Sequence, residues 1–134
     1  MKAMEDILKG KNILIADDDP RNTYALCCYL EASGFDIRIH KAGGGEEAIA
    51  LLKEHDDIQL VLMDMMMPDI DGYEAIRRIR SDARTSEIPI IAVTAQAMKG
   101  DREKCLEAGA TDYIAKPVDM AALFNIMAVV LNPR

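Results

Sequence analysis

The chain has no tryptophan and only two phenylalanines among its 134 residues. A site that stacks a flavin needs flat aromatic side chains, so this scarcity counts against a flavin-binding protein. Cysteine is scarce too, because the chain has only Cys27, Cys28 and Cys105, with no CxxC spacing and two histidines as further ligands. This set is too small for a typical zinc site, and we expect reduced thiols in or near a core.

Positive charge and long apolar runs are also in short supply. Lysine and arginine contribute 16 residues against 23 aspartates and glutamates, and the formal charge of −7 repels a phosphate backbone. We therefore expect no direct binding to nucleic acid. The apolar stretch Met120–Leu131 is too short for a bilayer span, and charges interrupt Met1–Lys11, where a signal peptide would need a hydrophobic segment. These features predict no membrane insertion and a cytoplasmic location.

Four short apolar runs each end at a reactive polar residue. They are Ile13–Ala16 before Asp17 and Asp18, Leu60–Met63 before Asp64, Ile90–Val93 before Thr94, and Tyr113–Ala115 before Lys116. If the runs are parallel strands, their carboxyl ends share one edge of the sheet, where open α/β sheets bind ligands. Three carboxylates, a hydroxyl and an ammonium group would then meet in a crevice suited to a divalent cation and a phosphoryl group.

Amphipathic segments with helical spacing alternate with these runs. Asp19-Pro20 is a typical helix start, whereas Gly34 and Gly109 are typical helix ends. Gly43–Gly45 lacks the GxGxxG pattern, and no Walker lysine is present, so we interpret this run as a turn into a helix rather than a nucleotide-binding loop. Three arginines of the third predicted helix are expected to lie mostly in water: Arg77, Arg78 and Arg80.

The repeated order of strand then helix predicts one α/β domain. Parallel neighbours need right-handed crossovers, so we expect a doubly wound sheet of five parallel strands with five helices on both faces. Ile37 and Ile39 alternate with polar residues, as in a strand at the sheet edge. A sheet of this size fits the flavodoxin-like order 2-1-3-4-5, in which strands one and three are neighbours. Asp17-Asp18 and Asp64 would then face each other across the crevice.

The residues at the strand ends form a recognisable set of motifs. The set consists of Asp17-Asp18, the segment Asp64–Gly72, Thr94-Ala95, and Tyr113 with Lys116-Pro117. Together they resemble the receiver domain of bacterial two-component response regulators, and the resemblance covers nearly the whole chain. The segment Met98–Ala110 is similar to receivers of hybrid kinases and phosphorelays, so a single-domain or a hybrid-kinase-type receiver is implied. We predict an N-terminal extension over residues 1–11, the receiver over 12–131 and a tail over 132–134.

The resemblance implies a magnesium-dependent phosphoacceptor. Asp64 would be the nucleophile that takes a phosphoryl group from a phosphohistidine on a histidine kinase or a histidine phosphotransfer protein. Mg²⁺ would be held directly by Asp18 and Asp64, through water by Asp17, and by the main-chain carbonyl of Met66. The protein would catalyse its own phosphorylation and dephosphorylation without being a turnover enzyme on a small substrate.

The resemblance also implies how the signal is read. Lys116 would pair with Asp64 and later with a phosphoryl oxygen, and Thr94 would donate a hydrogen bond to the phosphoryl group. Thr94 and Tyr113 would then move together, which changes the surface of the fourth predicted helix, the fifth strand and the fifth predicted helix. A cis peptide bond before Pro117 would hold the lysine in place. Because little chain follows the last helix, we expect output through a downstream protein partner.

Four further hypotheses remain, and three of them depend on particular residues. Asp17-Asp18-Asp19 matches the Asp-x-Asp motif of haloacid-dehalogenase-like phosphatases, although that reading leaves Asp64 without a role. A receiver that is never phosphorylated and serves only for docking is the other alternative. Met66 and Gln96 stand where this family controls the access of water to the phosphoryl group, which predicts slow self-hydrolysis. Contacts with the phosphodonor are expected near Asn22 and Ala25, beside the crevice.

Overall fold

The structure, a computed structural model, describes residues 3–95 and 100–132. The described strands are β1 (Asn12–Ala16), β2 (Arg38–Ala42), β3 (Leu60–Asp64), β4 (Ile90–Thr94) and β5 (Asp112–Ala115). The described helices are α1 (Met4–Leu8), α2 (Pro20–Ala32), α3 (Gly45–Glu54), α4 (Gly72–Ser81), α5 (Asp101–Ala108) and α6 (Met120–Leu131). No helix in these ranges is long and apolar enough to cross a bilayer.

The strands form one parallel sheet in the order β2-β1-β3-β4-β5, which confirms the predicted topology. The residues of β3 and β4 are buried throughout because helices cover both faces of the sheet. The register pairs Ala16 with Met63 and Thr94 with Ala115. The residues that follow β1 and end β3 therefore lie at the same edge of the sheet.

Two cores lie on opposite faces of the sheet. Side chains of each strand alternate between them, so that Leu14 and Ala16 pack on one face, whereas Ile13 and Ile15 pack on the other. The first core is closed by α3, α4 and α5, and the second by α1, α2 and α6. The predicted placement of helices on both faces is thus confirmed.

The predicted number of five helices is wrong, because the described residues form six. The additional helix, α1, lies within the predicted extension and buries Ile7 and Leu8 against the second core and α6. A helix of five residues is too short to show a periodic pattern and is stable only through tertiary packing. The division into extension, receiver and tail stays a prediction, but the extension contributes to the core.

The expectation for the three arginines is correct for Arg77 and Arg78 and wrong for Arg80. The Arg80 guanidinium donates to the carbonyl oxygens of Gly109 at 2.8 Å and Thr85 at 3.1 Å, and burial lowers its pKa. Helical spacing places Arg80 on the polar side of α4, but the turn after α5 covers that position.

The three cysteines are unbridged. Cys27 and Cys105 are buried, as expected for reduced thiols in a core, whereas Cys28 is exposed.

Candidate functional site

Three carboxylates meet at the carboxyl edge of the sheet. Asp17 follows β1 directly and Asp64 ends β3, and both side chains are buried, whereas Asp18 is exposed. One oxygen of each residue lies within 4.8 Å of the others. The strand order therefore brings together the acidic residues that the sequence separates by nearly fifty positions.

One ammonium group faces this acidic cluster. Lys116 Nζ lies 3.4 Å from Asp64 Oδ1 and 3.7 Å from Asp17 Oδ2. The lysine follows β5, and its main-chain N–H donates to the carbonyl oxygen of Thr94 at 2.7 Å, which joins the ends of β4 and β5. The peptide bond between Lys116 and Pro117 is cis, as the motif implied. A single lysine thus contacts two of the three carboxylates.

The charges of the cluster are not balanced. Burial raises the pKa of Asp64 above its ordinary value, and the neighbouring Asp17 carboxylate raises this pKa further. A hydrogen bond from the Met66 N–H to Asp64 Oδ1 at 3.2 Å and the charge of Lys116 lower the pKa but do not cancel the increase. The cluster therefore keeps an excess of negative charge that a bound cation would neutralise.

The donor atoms fit a hard divalent cation. Carboxylate and main-chain carbonyl oxygens are the ligands that Mg²⁺ prefers, and Asp17, Asp18 and Asp64 offer them close together. Met66 lies two residues beyond Asp64, and 62% of its side chain is exposed, so this residue belongs to a loop at the site rather than to the core. Met65 and Met67 on either side of it are buried and fill the first core.

The two predicted switch residues lie on neighbouring strands. Thr94 ends β4 and is buried, and Tyr113 is a half-buried residue of β5 that packs against the first core. Their movement on phosphorylation stays a prediction. Gln96, which was expected to influence hydrolysis, lies outside the described residues.

Asp19 does not join the acidic cluster through its side chain. Its Oδ1 accepts a hydrogen bond from the Arg21 N–H at 2.9 Å and caps α2, and its N–H donates to Asp17 Oδ1 at 2.8 Å. In a phosphatase of the haloacid-dehalogenase type, the second aspartate of the Asp-x-Asp motif must serve the reaction. The capping contact of Asp19 therefore counts against that alternative.

A groove opens beside the cluster, between α2 and the loop that follows β5. It has a volume of about 410 Å³ and runs from Asp64 and Lys116 along the exposed side of α2, where Asn22, Ala25 and Tyr29 line it. The residues at which phosphodonor contacts were expected thus border an open, mainly apolar surface next to the candidate nucleophile.

The family model for the response regulator receiver domain matches residues 13–128. The chain is a response regulator receiver domain. This match confirms the resemblance on which the predicted phosphoacceptor function was based, and receiver domains accept phosphoryl groups in two-component phosphorelays. No family of enzymes acting on small substrates is indicated.

Relatives of this receiver domain include stand-alone proteins and parts of kinases. The protein PilH of Pseudomonas aeruginosa is 39% identical over 119 residues, which are 89% of this chain and 96% of PilH. The receiver domain of the sensor histidine kinase PA1611 from the same organism has a TM-score of 0.83 and 36% identity over 92% of this chain and 99% of that one. That structure contains a magnesium ion coordinated in the active-site cleft.

A third similar structure shows a receiver domain with a partner protein. The receiver domain of Ssk1 from Saccharomyces cerevisiae, solved with the histidine phosphotransfer protein Ypd1, has a TM-score of 0.84 and 28% identity, covering 92% of this chain and 90% of that one. Receiver domains of this fold thus pair with histidine phosphotransfer proteins.

Sequence reasoning missed one residue at this site. Asp69, in the loop after β3, accepts hydrogen bonds from the N–H groups of Gly45 and Glu46 at the start of α3. The signal in the sequence is indirect, because a helix that starts at Gly44-Gly45 has no capping side chain of its own. Nothing in the sequence shows that a residue 24 positions away supplies the cap.

Proposed function

We propose that Asp64 is the residue of this receiver domain that accepts the phosphoryl group. The supporting observation is the position of its carboxylate, which is buried at the sheet edge, 3.4 Å from Lys116 and in one cluster with two further carboxylates. Asp17 and Asp18 are the alternatives within the cluster, but Asp18 is exposed and Asp17 lies farther from Lys116, at 3.7 Å. Asp64 combines burial with the shorter distance to Lys116 and ends β3, the middle strand of the sheet.

The proposed reaction transfers the phosphoryl group from nitrogen to oxygen. A carboxylate oxygen of Asp64 attacks the phosphorus of a phosphohistidine, and an O–P bond forms as the N–P bond breaks. The leaving imidazole nitrogen takes up a proton from solvent. Lys116 then pairs with a phosphoryl oxygen, and the Thr94 hydroxyl donates a hydrogen bond to another, so both residues stabilise charge that builds up during transfer.

The residues present fit the magnesium ion that such a transfer uses. Asp17, Asp18, Asp64 and the main-chain carbonyl of Met66 would hold it, Asp17 through a water molecule. When bound, Mg²⁺ supplies positive charge that offsets the repulsion between the carboxylates and the phosphoryl oxygens.

The position of the groove and the kinds of similar proteins support a proposal for the phosphodonor and for the downstream partner. We infer that a histidine kinase or a histidine phosphotransfer protein docks at the groove lined by Asn22 and Ala25, which opens directly onto Asp64. Phosphorylation would alter the surface of α5, β5 and α6, where Tyr113 is half-buried, and a downstream protein would bind there. Direct binding to nucleic acid is not part of this proposal, and the cytoplasm, where histidine kinases phosphorylate their partners, is the proposed location.

The domain is also proposed to catalyse the loss of its own phosphoryl group, and to do so slowly. The Met66 side chain is exposed two residues after Asp64 and has no polar atom that could orient an attacking water molecule. We expect the phosphorylated protein to have a lifetime of minutes or longer in the presence of Mg²⁺. Intact mass spectrometry at successive times after removal of the phosphodonor measures this lifetime. A lifetime of seconds would contradict this expectation.

The decisive experiment is phosphorylation by a small phosphodonor with Mg²⁺, read by intact mass. We expect the wild type to gain one phosphoryl group and Asp64→Asn to gain none. Asp57→Asn, an exposed aspartate in the loop before β3, is the matched control and should be modified like the wild type. Phosphorylation of Asp64→Asn, or an unmodified wild type, would contradict the proposal, and the latter result would favour a receiver that serves only for docking.

A further inference from the structure

The first turn of α3 is capped by a residue from a different part of the chain. The N-cap position is Gly44, which has no side chain to accept a hydrogen bond. Instead, Asp69 Oδ1 accepts from the Gly45 N–H at 3.2 Å, and Asp69 Oδ2 accepts from the Glu46 N–H at 2.9 Å. These hydrogen bonds hold the pKa of Asp69 below its ordinary value, so the side chain is a carboxylate at neutral pH.

Small residues make room for this contact. A Cβ atom at Gly44 would lie 2.7 Å from Asp69 Oδ2, and a Cβ atom at Gly45 would lie 2.6 Å from Ile70 Cγ1. Both distances are shorter than real Cβ contacts, so a larger residue at either position would displace the Asp69 carboxylate or the Ile70 side chain. The pair Gly44-Gly45 thus lets the loop dock closely on the start of α3.

A second hydrogen bond joins the two ends of the same loop. The Gly72 N–H donates to the Met65 carbonyl oxygen at 3.2 Å, and a Cβ atom at Gly72 would lie 2.6 Å from Met65 Cα. Hydrogen bonds therefore hold the loop of residues 65–71 at two points, at its base between Met65 and Gly72 and at its far end through Asp69, while the buried side chains of Met65 and Met67 pack in the first core. Between these two ties lies Met66, whose exposed side chain provides little packing of its own.

Met66 is the part of the loop that faces the phosphoacceptor. Its N–H donates to Asp64 Oδ1 at 3.2 Å, and its carbonyl is one of the proposed magnesium ligands. We propose that Asp69 is a positioning residue for the phosphoacceptor site, because its contact with the start of α3 keeps the main chain of Met66 aligned with Asp64. This inference rests on the proposed function and adds a residue that touches neither the metal nor the phosphoryl group.

The helix is a suitable anchor for such a tie. α3 packs into the first core through Ala48 and Leu52, which are buried, so its start cannot shift without disturbing that core. The positive end of the helix dipole favours the negative charge of Asp69.

The first test compares Asp69→Ala with the wild type. We expect Mg²⁺ affinity, measured by isothermal titration calorimetry, to fall by about tenfold, as is typical when a residue that orients a ligand is removed. Amides of residues 65–71 should exchange hydrogen faster in the metal-free protein, and phosphorylation at limiting Mg²⁺ should slow to the same extent as the affinity. Asp69→Asn keeps one acceptor oxygen and should give intermediate values. Unchanged Mg²⁺ affinity in Asp69→Ala would overturn the proposal.

A second variant separates positioning from helix capping. In Gly44→Asp/Asp69→Ala the carboxylate moves from the loop to the N-cap of α3, net charge is unchanged, and the atoms that would clash with a Cβ at Gly44 are gone. We expect this double variant to regain the Tm that Asp69→Ala loses, while Mg²⁺ affinity stays low and the loop amides still exchange fast. Recovery of both Tm and Mg²⁺ affinity would show that Asp69 only caps the helix, and would overturn the proposal.

Ile7→Ala serves as the control for stability. Ile7 lies in α1, before β1, and is buried in the core on the other face of the sheet, so this variant loses stability without touching the loop. We expect its Mg²⁺ affinity to equal that of the wild type, and a tenfold loss would attribute the Asp69→Ala effect to stability and overturn the proposal. A wild type that binds Mg²⁺ but is not phosphorylated would refute the proposed function instead, since the exchange and affinity measurements do not depend on phosphorylation.

Discussion

Asp64 lies in a cluster of three carboxylates that has one ammonium group, Lys116, in contact with it. Its carboxylate is buried beside Asp17, and both effects raise its pKa, so the folded protein holds a proton on this residue more tightly than the unfolded chain does. The stability of the metal-free protein therefore falls as pH rises through the raised pKa. At neutral pH the buried Asp64 carboxylate lowers the stability of the metal-free protein.

Asp64→Asn should therefore stabilise the metal-free protein at neutral pH. The amide keeps an oxygen for the Met66 N–H and leaves Lys116 paired with Asp17, and the unfavourable burial and repulsion by Asp17 outweigh the attraction to Lys116 that is lost with the charge. We expect a gain of about 1 kcal/mol, or roughly 4 °C in Tm for a domain of this size, measured by thermal unfolding in EDTA. The difference should shrink as pH falls, because protonation removes the same charge from the wild type, and excess Mg²⁺ should stabilise the wild type more than the variant. A variant less stable than the wild type at neutral pH would contradict this account.

Arg80 is the second residue whose surroundings decide its role. Its guanidinium joins the end of α4 to the turn after α5 and to the loop before β4, with main-chain oxygens of Gly109 and Thr85 as acceptors. Gly109, at a φ of 119°, ends α5, and a Cβ atom there would lie 2.7 Å from Arg80 Cγ. The Arg80 guanidinium thus supplies a donor to the Gly109 carbonyl oxygen and a second donor to the Thr85 carbonyl oxygen, which also accepts from the Ile88 N–H at 3.3 Å.

Arg80→Met should destabilise the protein by about 2 kcal/mol, because the methionine fills the space but leaves the Gly109 carbonyl oxygen without its Arg80 donor. Arg77→Met is the matched control on the same helix, since Arg77 is exposed and its nearest acidic atom, in Glu74, is 3.8 Å away. That change should cost less than about 0.5 kcal/mol. Urea unfolding of both variants measures the difference, and equal losses would show that Arg80 is an ordinary surface residue.

At the scale of elements, α1 is a short helix that depends on its neighbours. It has five residues and no side-chain cap, yet Leu8 is completely buried and the helix packs on α6. α1 packs in the second core and on α6, and none of its residues belongs to the acidic cluster. Its contribution should therefore be to stability and not to phosphorylation.

Leu8→Ala should lower the free energy of unfolding by about 3 kcal/mol, as large-to-small changes in a core do. Phosphorylation of the folded fraction should proceed at the wild-type rate under conditions where the variant is folded. Glu5→Ala, an exposed change in the same helix, is the control for both measurements and should have little effect. A slow but fully folded Leu8→Ala protein would show that α1 influences the site.

At the scale of the whole molecule, the site exists only because a parallel sheet collects the ends of several strands. Asp17, Asp64, Thr94 and Lys116 follow or end four different strands, and adjacent strands in the order β1-β3-β4-β5 place them side by side. Any cation bound there is held by residues from distant parts of the chain. Binding of Mg²⁺ should therefore stabilise the folded domain as a unit.

The affinity for Mg²⁺ should depend on pH because the metal binds carboxylates only in their deprotonated form. The pKa of Asp64 is raised, so affinity should be full well above this pKa and should weaken as pH falls through it, at a pH where an ordinary aspartate is still ionised. Calorimetric titrations across the acid range, with the unfolding temperature as a check on folding, measure this dependence. An affinity that does not change with pH would contradict a shared site with a raised pKa.

Much of this protein could be predicted from local patterns. Each apolar run is three or four residues long and is followed by a helical pattern. Right-handed crossovers leave few ways to arrange such units, so the parallel sheet and its order were accessible from the sequence. The residues of the cluster could be named because each stands at the end of its strand. Their chemistry depends on the residue type at the end of each strand, which is read directly from the sequence, and on the strand order, which the sequence pattern predicts.

Other features depended on contacts between elements, which no local pattern encodes. Asp69 caps a helix that begins 24 residues earlier in the chain, Arg80 binds a carbonyl 29 residues later, and Leu8 is buried by the last helix. The sequence by itself determined which residues could accept a phosphoryl group and hold a cation. Only the tertiary structure decided how they are supported, because hydrogen bonds and packing between distant segments arise from their arrangement in space.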